Sequence, residues 1–584
     1  MPGGLITGSR TRLLAVACVA IMAIFILRLF YLQVIDHQTY VNLASQEQEK
    51  RFIIPAARGE IYAMDGKTPV KIVLNESVYT VFVDPAVVKK PKEVVDAIRS
   101  IAGGNARDNL EELVTTKKNK DKAIRYQIVA TKVTPAQAAL LKKRDLNGLG
   151  FQATSQRVYP EAQLAAQTLG FVNNQGEGQY GIEGKLNKRL VGKDGMQKAV
   201  TDVSNVPLTI GKNSVKVPPK NGDNIVLTID RNIQSSTEKA LADGLARTRA
   251  TNGSAIVMDP QTGKVLAMAN LPTFNPAEFN KVTDAQAFNN GIVTTPYEAG
   301  SVFKTFTVAT GLDKGVIEPN STYNNTDSIK VEDRTIVNAA KGHTGTITMQ
   351  DALNYSLNTG MVTIAQRLGD GSQITKAARN TIYDYYHNRF GLGSLTGIQV
   401  SGEAEGRVIS PDEQEGNAVR YSNMVFGQGL DITMIQVAAG FNALVNGGTY
   451  YYPTVIDGVI KDDGKMVAEP LKTPRQNVVS KATSDKVRAM TWQARKTINS
   501  GDRPGYYVGG KTGTSQTIEN GQYVLDQTIA TYLGYGGTED SSKYVIMVQL
   551  SGKNMNLEGN IHAKPIFTDI SNWMLDYMKL QPKG

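Results

Sequence analysis

An apolar run near the start of the chain constrains everything that follows it. From Leu13 to Leu27 every residue is apolar or small, and the run continues through Leu29-Phe30-Tyr31-Leu32 with only Arg28 inside it, the span being counted to Ile35. As a helix rising about 1.5 Å per residue, such a run spans the roughly 30 Å of bilayer hydrocarbon. Arg28 falls near the outer end, where its long side chain reaches the interface. Arg10 and Arg12 precede the run and Asp36 follows it, so the charge rule predicts a cytoplasmic tail at 1–12, an anchor at 13–35 and the rest of the chain outside. No small-x-small cleavage site follows, and too little apolar sequence precedes Ala17-Cys18 for a lipidation site, so the anchor reads as uncleaved.

Composition narrows the exported part. Cys18 is the only cysteine and lies within the anchor, which excludes a disulfide framework and thiolate metal sites. His37, His343, His387 and His562 have no ligand spacing, so no metal is expected; His343 reads as a loop residue, with substrate contact the minor reading. The formal charge is +10, but the basic residues are mixed with acids and no nucleic-acid module is present, which points to anionic lipid or polymer instead. A length of 584 residues implies several domains.

Residues 36–220 hold no catalytic pattern. Ser77–Val83 reads as a strand, Pro91–Leu113 and Pro135–Lys143 as helices, and Lys117–Lys122 as a basic loop, together an extended pedestal. A turn at Lys220–Asp223 and a strand at Asn224–Ile229 open a second domain, 221–584. An amphipathic helix at Arg231–Arg247 and strands at Ser254–Pro260 and Lys264–Ala269 follow.

The chemistry is expected at Ser301. Val302, Phe303, Phe306, Ala309 and Leu312 recur at helical spacing, which puts Ser301 in a first turn and Lys304 three residues on, on the same face. A serine hydroxyl needs a base, and a lysine at its reference pKa of about 10.4 is already protonated. Burial and a second nearby cation both lower that pKa, so a Ser-Lys pair calls for another basic motif. Alone, Ser-x-x-Lys describes many helices with a surface lysine.

Two motifs supply company. Ser356 and Asn358, in Asn354-Tyr355-Ser356-Leu357-Asn358-Thr359-Gly360, fall at a bend between a helix started by Thr348 with Asp351 and a helical run from Met361 to Leu368. Gly509-Gly510-Lys511-Thr512-Gly513-Thr514-Ser515 leads towards the strand-like Thr528–Tyr535. Lys511 is the extra cation; on an edge strand Thr512 and Thr514 share a face, and Gly513 lets an extended peptide lie against the backbone.

Ser-x-x-Lys, Ser-x-Asn and Lys-Thr-Gly, in that order, form the set of penicillin-binding proteins and serine β-lactamases. The chain resembles the class B penicillin-binding proteins over nearly its whole length. Arg28–Gln33, Arg58-Gly59-Glu60-Ile61-Tyr62, Tyr180–Gly184, Leu227–Asp230, Phe426-Gly427-Gln428-Gly429 and Ala563–Phe567 match the family's landmarks. It departs at Ala299, where proline is usual, at Thr305, where proline is frequent, and at Ala63-Met64-Asp65-Gly66, where Asp-Arg-Asn-Gly is usual. Leu357 replaces the aspartate of many β-lactamases.

The resemblance implies an α+β chain: an anchored pedestal (dimerisation-like) domain followed by a transpeptidase domain whose central antiparallel sheet is flanked by helices. It implies a peptidoglycan D,D-transpeptidase of the division or elongation type, in the bacterial cytoplasmic membrane. Ser301 attacks the penultimate D-Ala carbonyl of a stem peptide with Lys304 as base, and Ser356 relays the proton. Asn358, Lys511, Thr512, Gly513 and Thr514 bind substrate, and the backbone N–H groups of Ser301 and Thr514 form the oxyanion hole. β-Lactams are expected as substrate mimics and a polytopic glycan polymerase as partner, with no cofactor and no nucleic acid. A β-lactamase or carboxypeptidase, and a non-enzymatic scaffold or sensor, are the alternatives. The first needs a placed base for water, and no acidic loop in the chain supplies one.

Overall fold

The computed structural model describes residues 8–40, 49–119, 122–200, 215–498, 501–519 and 521–583. The chain divides into two units, Met1–Arg58 with Val191–Gly222, and Gly59–Leu190 with Asp223–Gly584.

In the first unit the apolar run is a helix, Gly8–Phe30, that loosens into a π-turn at Tyr31–Ile35. The span Arg10–Ile35 is long and apolar enough to cross a membrane, and none of its apolar window is buried against protein. Such a helix, with its backbone bonded internally and apolar side chains all round, suits lipid rather than a protein core. The unit also holds an antiparallel sheet in which Glu49–Ile54 pairs with Gly195–Val200, and Gly195–Val200 with Val215–Val217.

The second unit contains two large sheets. The seven-stranded one runs Met466–Ala468, Ile456–Ile460, Asn224–Asp230, Ile61–Asp65, Thr68–Val83 and Gln127–Val133, with Leu149–Val158 also paired to Thr68–Val83. Asn224–Asp230 lies parallel to Ile61–Asp65, so this sheet joins residues on either side of 220/221. Pro135–Lys143 is a helix, opened by a capping box between Thr134 and Gln137. The single helix expected over Pro91–Leu113 is instead two, Pro91–Ala102 and Leu110–Thr115. Gly103 at φ +55° takes a conformation that side chains resist and turns the chain out of the first. The basic loop is partly a short hairpin, Lys118–Asn119 against Lys122–Ala123, with 120–121 outside the described residues.

A buried ion pair braces this region. Arg157 Nε donates to Glu183 Oε1 at 2.7 Å with the two side chains 5% and 0% exposed, and Arg157 Nη1 donates to Asn75 Oδ1. Arg157→Ala removes the cation from beside the buried Glu183 carboxylate and is expected to destabilise the unit by roughly 3–5 kcal/mol. Denaturant unfolding reads this directly; a loss below about 1 kcal/mol, the range of exposed pairs, would contradict it.

The second sheet is antiparallel throughout, ordered Val265–Leu271, Asn252–Met258, Ser542–Ser551, Gln522–Gly537, Tyr507–Glu519. Its alternating side chains feed two cores. Tyr544, Ile546 and Val548 pack with Ile233 and Leu241 of helix Arg231–Thr248 and with Ile566, Phe567 and Ile570 of helix Lys564–Tyr577. Val545 and Met547 join the other core, which holds Phe303, Phe306 and Phe441. Burial on both faces explains why these strands read as nearly continuous apolar runs. Asp230 caps the first of the helices, its Oδ1 accepting from Asn232 N and Ile233 N. The fold is thus mixed α/β, with a central antiparallel sheet between layers of helices.

Candidate active site

Ser301 lies on a 3-10 turn, Gly300–Phe303, that runs directly into helix Lys304–Asp313. The helix is a core helix rather than an amphipathic surface one: Phe303, Phe306 and Ala309 are fully buried, and so is Lys304. Lys304 Nζ donates to the carbonyl oxygen of Ser356 at 2.5 Å and to its Oγ at 3.2 Å. Lys304 forms no ion pair with a carboxylate among the described residues.

Ser356 holds the bend between helices Met349–Asn354 and Asn358–Arg367 at φ +58°, a conformation that costs a non-glycine residue about 1–3 kcal/mol and persists only where the surroundings impose it. Asn358, expected in the bend itself, is the first residue of the second helix; its Nδ2 donates to Val337 O at 2.8 Å. The helix start is tied down by asparagines that sequence reading passes over. Thr359 N donates to Asn338 Oδ1, and Thr359 Oγ1 and Asn338 Nδ2 both donate to Asn325 Oδ1. Asn325 and Asn338 stand apart from every motif in the sequence, so no spacing pattern marks them. His343 stacks on Tyr355, the neighbour of Ser356, with ring centroids 3.7 Å apart.

Lys511 lies on the edge strand Tyr507–Glu519 and is 3% exposed, donating to Thr512 O and Thr512 Oγ1 at 3.2 Å each. Alternation leaves Thr512 half-buried and Thr514 exposed on one face, while Thr514 Oγ1 also accepts from Gly559 N. Two glycines let this strand press against the serine turn. A Cβ on Gly513 would stand 2.2 Å from Thr531 Oγ1 and 3.1 Å from Ala299 O, and one on Gly300, at φ +62°, would stand 2.7 Å from Thr514 O.

The electrostatics follow from this burial. Lys304 is held well below the ordinary lysine range, first by desolvation and second by the charge of Lys511. The second cation demanded by the Ser-Lys pair therefore acts, but depth in the core acts more strongly. Burial lowers Lys511 itself to about 7. Two amines so deeply buried and within reach of each other's charge cannot both stay charged, and desolvation together with the Lys511 charge presses Lys304 towards the neutral form. Among the described residues no cluster of His, Cys, Asp or Glu has the makings of a metal site.

Residues 253–572 match the model of the penicillin-binding protein transpeptidase domain, and residues 53–227 that of the penicillin-binding protein dimerisation domain. The chain belongs to the class B penicillin-binding proteins. Stage V sporulation protein D of Bacillus subtilis is 29% identical over 98% of this chain and 87% of its own length. Peptidoglycan D,D-transpeptidase FtsI of Escherichia coli is 26% identical over 97% and 91%. The solved structure of penicillin-binding protein 3 of Mycobacterium tuberculosis with ampicillin, 25% identical, superimposes with a TM-score of 0.67 over 91% of this chain and 97% of that one. Ser301, Lys304, Ser356, Asn358 and Lys511 all fall within residues 253–572, the transpeptidase-domain region.

Proposed function

We propose that this transpeptidase cross-links stem peptides through an acyl-enzyme on Ser301. Lys304 takes the hydroxyl proton as Ser301 Oγ attacks the penultimate D-Ala carbonyl. The N–H groups of Ser301 and Thr514 stabilise the oxyanion. As the tetrahedral intermediate collapses, the C–N bond breaks and Ser356 passes the proton from Lys304 to the leaving D-Ala amine. An amine of a neighbouring stem then attacks the ester, and Ser301 recovers its proton. Lys511, with Thr512 and Thr514, holds the terminal carboxylate, whose charge restores Lys511 to the ammonium form. Gly513 lets the donor peptide lie along the edge strand. Asn358 holds its backbone through the side-chain carbonyl oxygen, the Nδ2 amide being bound to Val337.

The observation that carries this reading is the burial of Lys304 against two neutral oxygens of Ser356. A buried ammonium without a carboxylate is costly, so the amine rests neutral and can act as base. The anchor helix, with Arg10 and Arg12 at its start ahead of the apolar run, supports an amino terminus in the cytoplasm, a pedestal over 36–220 and a transpeptidase domain over 221–584 on the outer face of the membrane. By family analogy, a polytopic glycan polymerase contacts the anchor and pedestal.

Peptide mapping by mass spectrometry after treatment with benzylpenicillin tests the assignment. One slowly released adduct is expected, on the peptide containing Ser301. An adduct on another residue would overturn the assignment, and rapid release would make the protein a hydrolase.

A further inference from the structure

Glu298, three residues before Ser301, is 4% exposed. Its Oε1 accepts from Gly429 N at 2.6 Å, and the Tyr523 hydroxyl donates to Oε1 at 3.0 Å and to Oε2 at 3.2 Å. Two segments meet at this carboxylate. Gly429 belongs to the loop in which Gly427 O accepts from Gly300 N at 3.0 Å, so one bond of Glu298 steadies the backbone that presents the Ser301 N–H. Tyr523 lies on Gln522–Gly537, the strand hydrogen-bonded to the edge strand; it pairs with Ile518, and further along the same strand Ala530 pairs with Thr514. The third strand, Ser542–Ser551, meets Gln522–Gly537 only from Ala530 onward, so the stretch carrying Tyr523 is a two-stranded ribbon. The Tyr523–Glu298 bond ties that ribbon to the serine segment.

We propose that Glu298 is a positioning residue: through Gly429 on one side and Tyr523 on the other, it holds the serine turn and the edge strand at the separation that the oxyanion of the tetrahedral intermediate requires. The inference rests on the assignment of the Ser301 and Thr514 N–H groups as oxyanion donors. Those donors come from different segments, and the close packing of Gly300 against Thr514 O limits how nearly they approach without limiting how far they separate. A carboxylate suits the restraint because its charge strengthens the bonds that Oε1 accepts from both donors, whereas a carboxamide oxygen accepts both but without charge. Tyr523 is 47% exposed, so removing its hydroxyl leaves the core intact.

Stopped-flow acylation of the full-length protein by a fluorescent penicillin, separating the bond-forming rate from the noncovalent dissociation constant, tests this in Tyr523→Phe and Glu298→Gln. The bond-forming rate is expected to fall about tenfold in Tyr523→Phe, which loses that bond outright, and by less in Glu298→Gln, whose oxygen still accepts from both donors without charge, with the dissociation constant within about twofold of wild type. The melting temperature of Tyr523→Phe stays at the wild-type value, which separates positioning from stability. An unchanged bond-forming rate in Tyr523→Phe, or a loss confined to the dissociation constant, would overturn the inference. A wild-type protein that forms no adduct on Ser301 would overturn the assignment beneath it instead.

Discussion

Lys304→Met is expected to slow acylation of Ser301 by benzylpenicillin by about a thousandfold, the middle of the range for losing a general base. Methionine has the length and apolar body of lysine without the amine, so the core around Phe303 and Phe306 keeps its packing. The Ser356 carbonyl loses its donor, at a cost of roughly 1–3 kcal/mol in stability. Lys304→Arg fares no better, because a guanidinium stays protonated and brings an unpaired charge into the core. The pH profile separates the base from a mere spacer. Because the folded protein depresses the Lys304 pKa, the wild type keeps the neutral, active amine down to that lowered value and loses acylation only as pH falls through it. The methionine variant lacks that acid limb. A Lys304→Met rate within tenfold of wild type, measured by stopped-flow, would remove Lys304 from the mechanism.

Gly300→Ala is expected to lower acylation about a hundredfold or more, the effect of losing one oxyanion donor. The added Cβ meets the Thr514 carbonyl oxygen at 2.7 Å, and neither a Cβ nor a backbone oxygen can swing aside, so the serine turn and the edge strand must part. The left-handed φ adds strain of about 1–2 kcal/mol. Gly315→Ala is the control: its φ is +68°, but nothing lies within 4 Å of the new Cβ. It should lose only the strain of the left-handed φ, about 1–2 kcal/mol, and acylate at the wild-type rate. Equal acylation in the two variants would show that the close approach at Gly300 does not matter.

The features that can be read from sequence are local ones. The anchor, the helix Pro135–Lys143, the strands around 254–269 and the three motifs each rest on a few adjacent residues whose pattern has a physical meaning by itself. Depth is not legible. The spacing of Ser301 and Lys304 implies a shared helical face, but whether that face meets water or core depends on Phe390, Phe441 and Tyr386, far along the chain. For that reason burial outranks Lys511 in lowering the Lys304 pKa, although the sequence offers Lys511 as the visible cause. Contacts over long separations are equally hidden: Glu298 with Tyr523, and the sheet that pairs Ile61–Asp65 with Asn224–Asp230. The split of Pro91–Leu113 at Gly103 is visible in principle, since paired glycines break helices, but the apolar periodicity on either side masks it.

The protonation state of Lys304 tests the central claim most directly. Side-chain nitrogen NMR of lysine-labelled protein, with the Lys304 signal assigned by its loss in Lys304→Met, reports whether Nζ is an amine or an ammonium. A neutral amine at pH 7 is the result predicted here, with protonation only at lower pH; an ammonium at pH 7 would contradict it.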